Sequence, residues 1–132
     1  MPVTLDQAEV DDFLTQGHTL IFTTIDKDGY PHSSPLWYVY MDGNIYVRGR
    51  ANSQKAANIA RNANVCGLVE TGELWRELKA VMIRGEAVEI TDSHQLAKFT
   101  QKLTDKYAGF RESQETLPKR TQHHYSTSSC HW

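Results

Sequence analysis

Residues 28–49 read DGYPHSSPLWYVYMDGNIYVRG. Two Asp-Gly pairs, Asp28-Gly29 and Asp42-Gly43, punctuate runs rich in β-branched and aromatic residues. Asp-Gly favours a tight hairpin because glycine takes a positive φ without strain. The segment therefore predicts strands at 18–25 (HTLIFTTI), at 33–41 (SSPLWYVYM) and from Asn44 onward (NIYVRG). Consecutive strands joined by tight turns make an antiparallel meander. Pro35 lacks a ladder donor and marks an edge, a bulge or a strand start. With period two, Trp37 shares a face with Pro35, Val39 and Met41, while Leu36, Tyr38 and Tyr40 take the other. One face can enter a core, and the other offers flat rings for an interface or for stacking on a planar ligand.

Outward from this centre, Leu5, Ala8, Val10, Phe13 and Leu14 recur at helical spacing. They predict a short amphipathic helix with Thr4 as N-cap and Gly17 at its stop. A second helix is expected over Ser53–Asn62, capped by Asn52 or Ser53, with Ala56, Ala57, Ile59 and Ala60 as a small apolar face. VCGLVET (65–71) and LKAVMIRGEAVEI (78–90) read as two further strands, Gly85 suggesting a bulge or bend in the second. Thr91, Asp92 or Ser93 caps a third helix, along which Leu96, Phe99, Leu103 and Tyr107 repeat at helical spacing to an end near Gly109. From Arg111 the sequence is polar and aperiodic, so residues 1–110 are expected to form one domain and 111–132 a loosely held tail. A mainly antiparallel sheet with short helices removes its edges most economically by curling into a barrel.

The composition narrows the function. A chain of 132 residues suits one core, and 14 Lys plus Arg against 16 Asp plus Glu give a net charge of −2. Such a balance supplies no field for a polyanion, so nucleic acid is not an expected partner. Cys66 and Cys130 lie far apart and form no disulfide framework, which implies a reducing cytoplasm. The acidic start MPVTLDQAEVDDF lacks the build of a signal peptide, and no apolar run approaches the ~18 residues of a membrane span. No nucleophile elbow or paired-carboxylate motif is present. His123, His124, Cys130 and His131 match no structural zinc spacing, so no metal site is expected.

Positive charge gathers in one place. In IYVRGRANSQKAANIAR (45–61), Arg48, Arg50 and Lys55 surround Gly49 and Ser53 where a strand hands over to a helix. A helix N-terminus presents free N–H groups and a positive dipole end, a ready phosphate site. Ser53 can add a hydroxyl, Arg50 a bidentate contact and Lys55 a point charge. The alternative is that the cations are simply solvated.

DGYPHSSPLWYVYMDGNIYVRGRANSQKAANIARNANVCGLVE and LKAVMIRGEAVEI resemble the pyridoxamine 5′-phosphate oxidase-like superfamily. These are split β-barrel flavoproteins that also include enzymes using the deazaflavin coenzyme F420. The resemblance runs from about Leu14 to about Gly109, and its most specific parts are the DG-x-P-x-x-x-P hairpin and the S-x-K helix start. It implies a split antiparallel barrel of five to six strands, a homodimer with cofactor at the interface, and an oxidoreductase acting on a small molecule. By the resemblance, Ser53 and Lys55, with Gln54 between them and Arg48 and Arg50 nearby, bind the cofactor phosphate. Ser34, Pro35, Leu36 and Trp37 lie along its ring, and Lys79 and Ala80 approach from the partner subunit. FMN is the expected cofactor. F420 is the alternative, its acidic tail calling on Arg61, Arg76 and Lys79; a non-catalytic flavin- or haem-binding stress protein is an alternative of another class.

Two departures stand out. Where the vitamin-making oxidases usually carry an Arg-Lys pair, Gln54 precedes Lys55 here. Their C-terminal extension of Arg, His and Trp residues has no counterpart, so oxidation of pyridoxamine phosphate is not expected. Related short members end in a further strand, whereas YSTSSCHW suggests a truncated or altered end.

Overall fold

A computed structural model describes residues 4–110 and 122–127, and in the last stretch only the side chain of Tyr125. The order is α1 (Gln7–Gln16), β1 (Leu20–Ile25), β2 (Pro31–Leu36), β3 (Tyr38–Met41), β4 (Asn44–Arg50), α2 (Gln54–Arg61), β5 (Asn64–Thr71), β6 (Lys79–Glu89), α3 (Ser93–Lys106) and β7 (Gln122–Thr127), with short 3-10 turns at Trp75–Glu77 and Ala108–Phe110. Both Asp-Gly pairs turn as their chemistry dictates. Between β1 and β2 the Asp26 carboxylate accepts from the N–H groups of Asp28 and Tyr30 at 2.9 Å, and Gly29 has φ +86°. Between β3 and β4, Asp42 and Gly43 take φ of 56° and 76°, the two-residue turn whose twist matches paired strands.

The run at 33–41 is two strands, which corrects the expected meander. β2 pairs with β1 and β3 pairs with β4, with Trp37 at the break. The ladder order β2-β1-β5-β6-β7-β4-β3 makes β2 and β3 its two ends. Joining the ends through one residue rolls the ladder on itself into a split barrel. Tyr107 serves the break: its hydroxyl accepts from the Tyr38 N–H at 3.1 Å and donates to the His18 carbonyl at 2.7 Å. The Trp37 ring lies flat on Tyr107, centroids 4.3 Å apart and planes within 9°. β6 pairs with β5 from Lys79 to Glu86 and with β7 from Ala87 to Glu89. Its register runs unbroken through Gly85, so there is no bulge there; the strand changes partner just beyond.

β7 is the largest departure from the sequence reading. Part of the expected loose tail, Gln122–Thr127, inserts between β4 and β6 and completes the second half of the ladder. A strand paired on both edges draws its order from backbone hydrogen bonds more than from apolar alternation. Residues 111–121 and 128–132 lie outside the described residues, as do Cys130 and His131. With seven strands, the barrel also exceeds the expected five or six.

Two cores result. Leu20, Phe22, Tyr38, Ile45, Val47, Val65, Val69, Val81, Ile83 and Tyr125 fill the barrel, closed by Val10 and Leu14 of α1 and Ile59 of α2. Val39, Met41 and Tyr46 instead meet Phe99, Leu103 and Tyr107 of α3. Within β3 the period-two faces of the aromatic run are thus both covered, one turned inward and one under a helix, while Pro35 and Trp37 stay exposed. α1 starts two residues later than Thr4 predicts, because the Asp6 carboxylate accepts from the Glu9 N–H at 2.8 Å and caps it.

Candidate cofactor site

The cleft at the head of α2 is built by five elements, β1, β2, β4, α2 and β7. Ser53 caps the helix, its Oγ accepting from the Ala56 N–H at 3.1 Å and donating to the Arg50 carbonyl at 2.8 Å. That second bond, with the Ser53 N–H to the same carbonyl at 3.1 Å, ties strand end to helix start. Gly49, Ser53 and Lys55 line the cleft with Leu36 of β2, Phe22, Val47, Arg48, Ile59 and Tyr125. Its volume is about 10 Å³, roughly the room for one water, so its interior is too small for a phosphate. Open space lies beside Gly49, where a Cβ would meet nothing within 4 Å. The N–H groups of Gln54 and Lys55, in the first turn, have no intrahelical acceptor. Burial, with Glu89 adding to it, pushes the Tyr125 phenol up, leaving it a neutral hydrogen-bonding group in the cleft wall.

A buried polar relay locks this helix start to the sheet. Gln54 Nε2 donates to Asn58 Oδ1 at 2.7 Å, and Asn58 Nδ2 donates to Thr24 Oγ1 at 3.0 Å. Asn58 and Thr24 are fully buried. Gln54, which precedes Lys55, thus has a partner within its own helix. On the inner face of β2, Ser34 Oγ and His32 Nδ1 are buried without hydrogen-bond partners among the described residues. Polar atoms left so are rare in native proteins and mark places where a ligand or water completes the bonding.

The remaining expected residues are dispersed, apart from Arg48, which lines the cleft as well. Pro35 is exposed on the outer face of β2, while Trp37 turns toward α3. Arg48 also leans on α3, 3.4 Å from Thr100 Oγ1 and with its guanidinium 5.8 Å from the Phe99 centroid. Arg50 is exposed at the end of β4. Lys79 lines a different, larger cleft of about 560 Å³ with Phe13, Gly17, His18, Ile21 and Val69. Ala80 is exposed opposite Glu70. A single chain therefore unites Leu36, Ser53 and Lys55 but leaves Trp37, Lys79 and Ala80 elsewhere. His32, Thr24 and Asn58 were not anticipated. Alternation backward from Leu36 through Ser34 points to His32, whereas the pairing of Asn58 with Thr24 crosses 34 residues and left no local pattern.

These features define a split β-barrel with an anion-ready helix start beside its second strand. The family profile described as pyridoxamine 5′-phosphate oxidase matches residues 6–124, and the chain belongs to that family. Among solved structures it resembles a conserved hypothetical protein, Rv2991, of Mycobacterium tuberculosis. That match has 27% identity and a TM-score of 0.83, covering 96% of this chain and 82% of the other. A FAD-binding protein of Mesorhizobium loti matches at 22% identity and TM-score 0.70, covering 93% and 88%. The haem storage protein HutZ of Vibrio cholerae matches at 16% and 0.72, covering 96% and 90%. No curated protein matches the sequence.

Proposed function

We propose that this chain is a cytoplasmic flavin-dependent oxidoreductase that binds FMN at a homodimer interface and acts on a small molecule. The observation that carries the reading is the convergence, in a member of this family, of Leu36, Gly49, Ser53 and Lys55 on one cleft at a helix N-terminus. The donor set suits a phosphate: helix N–H groups, a lysine in the first turn, and Arg50 within a few residues. Ser34 Oγ offers a hydrogen-bonding group that the chain itself leaves unused. Hydride transfer would be the flavin's chemistry; the chain's part is to anchor the phosphate, orient the ring and exclude water.

FMN suits the charge distribution better than F420. Arg61 lies at the far end of α2, roughly 9 Å along the helix from Lys55 at 1.5 Å per residue. Arg76 belongs to the β5–β6 connection. Within a chain the two do not extend the mouth into the long basic groove that an acidic tail calls for.

The dimer reading rests on the outer face of the first half-sheet. Cross-strand pairing sets Pro35, Ile21, Leu68 and Met82 in one row, apolar on the side away from the core. Beyond it the β5–β6 connection exposes Leu74, Leu78 and Trp75, the last 88% accessible. A self-complementary apolar face of this kind fits a two-fold interface, and such an interface would bring Lys79 and Ala80 toward the other subunit's cleft.

Titration of the purified protein with FMN, F420 and haem tests the reading. Quenching of FMN fluorescence at one equivalent per chain is the expected result. A Soret band with haem and no FMN response would assign the protein to haem binding, and bound FMN that no acceptor reoxidises would remove the enzymatic part.

A further inference from the structure

A second cluster lies on the opposite side of the aromatic run from the cleft. Lys106, the last residue of α3, folds its ammonium against the β2–β3 break. Its Nζ donates to the Tyr38 carbonyl at 3.2 Å and sits 3.8 Å from the Tyr38 ring centroid and 5.3 Å from that of Tyr107. Among the described residues no carboxylate comes within ion-pair distance of it; the ion pair on α3 is Lys98 with Asp42. Its counter-charges are dipoles and ring faces: one carbonyl, the negative end of α3 and two phenol rings. These hold a cation in place without neutralising it. Burial pushes this amine down to about 8, the mark of a charge short of solvent.

Beside it stands a prepared flat surface. Trp37 is stacked on Tyr107 through one face, and its ring is still 41% accessible. His18 and Phe110, with ring centroids 4.7 Å apart, complete the wall, Phe110 being 53% accessible. The hydroxyl of Tyr107 is fixed by Tyr38 and His18, so the shelf is rigid. An exposed indole that shares the Tyr107 ring with a half-buried ammonium, to which the described residues bring no carboxylate, matches a planar ring bearing an anionic substituent, by stacking for the ring and a charge-assisted bond for the anion.

We infer that the Trp37–Lys106 shelf binds a small aromatic carboxylate. Its assignment as the substrate of the redox reaction rests on the proposed function; the binding itself does not. Trp37 directly follows Leu36 in the chain, so the shelf and the cleft share one backbone segment.

The test uses 2-naphthoate and uncharged 2-naphthamide as probes, by calorimetry on the full chain without cofactor, with FMN titrated separately. Wild type is expected to bind 2-naphthoate with the Trp37 indole N–H resonance shifting, that signal being assigned from a Trp37→Phe variant. Lys106→Met should weaken 2-naphthoate at least about tenfold, the scale of one charge-assisted bond, and leave FMN affinity unchanged. Lys106→Arg should retain binding, which separates charge from packing should the methionine variant fold poorly. Equal binding of naphthoate and naphthamide, equal binding by wild type and Lys106→Met, or no naphthoate binding at millimolar concentration would each overturn the inference. Naphthoate binding without any FMN response would sustain the shelf and remove only the redox reading.

Discussion

Replacing Lys55 with alanine should weaken FMN by about 1.5–3 kcal/mol, the span of a charge-assisted hydrogen bond, or roughly 10- to 150-fold in affinity. The upper part of that range is expected because Lys55 is partly buried at the mouth of the cleft, where solvent screens less than at an open surface. Ser53 is a poorer probe: its hydroxyl caps α2, so Ser53→Ala would also cost about 1 kcal/mol of stability. The assay is FMN fluorescence quenching with riboflavin, which lacks the phosphate, run in parallel. Wild type should prefer FMN to riboflavin, and Lys55→Ala should lose most of that preference while keeping its riboflavin affinity. The reasoning is refuted if the substitution leaves FMN binding unchanged, or if it weakens both ligands equally.

Three further outcomes are expected. Asn58→Ala strips the Thr24 hydroxyl and the Gln54 amide of their shared partner inside the protein and should destabilise it by about 1–3 kcal/mol in urea unfolding. Gly17→Ala should cost about 1–3 kcal/mol, read as a fall in Tm, since a Cβ there collides with the Tyr38 hydroxyl and Val69. Lys106 gives a pH signature. Its folded pKa of about 8 lies below the unfolded value of 10.5, so between these pH values the unfolded chain binds more protons and stability should rise with pH. Solvent screening of the half-exposed ammonium holds the gain between pH 7.5 and 9.5 to about 1 kcal/mol or less, and it should be absent in Lys106→Met; above pH 10 the buried tyrosines, whose pKa values are raised, reverse the trend. A flat wild-type profile over that window would contradict it.

The parts of this fold legible in the sequence are those with local causes. Asp28-Gly29 and Asp42-Gly43 set their turns through backbone preferences two residues long, and Ser53 announces a helix by what its side chain can do for the next turn. The junction of Leu36 with Ser53 and Lys55 followed from family likeness, and one chain does unite them. What escaped was set by distant partners. Nothing within SSPLWYVYM says that it must leave one half-sheet for the other at Trp37, because the cause is Tyr107, 69 residues beyond Tyr38. β7 escaped for the same reason: its pattern is weak, and β4 and β6 on either side give it order. The relay through Asn58 is likewise a tertiary fact, since a buried asparagine on a small helix resembles an exposed one until its partner is known.

The single-residue step at Trp37 fixes the length of the chain more strictly than any loop in the molecule. His32, Ser34 and Leu36 face inward on β2, and Tyr38 and Tyr40 face inward on β3. Because side-chain direction has period two, one residue added or lost between Leu36 and Tyr38 would turn one of these sets inside out. Length variation among relatives should therefore collect at the Asp26–Tyr30 turn and the Trp75 connection and avoid this step, making the spacing from Ser34 to Tyr38 a ruler for aligning distant members.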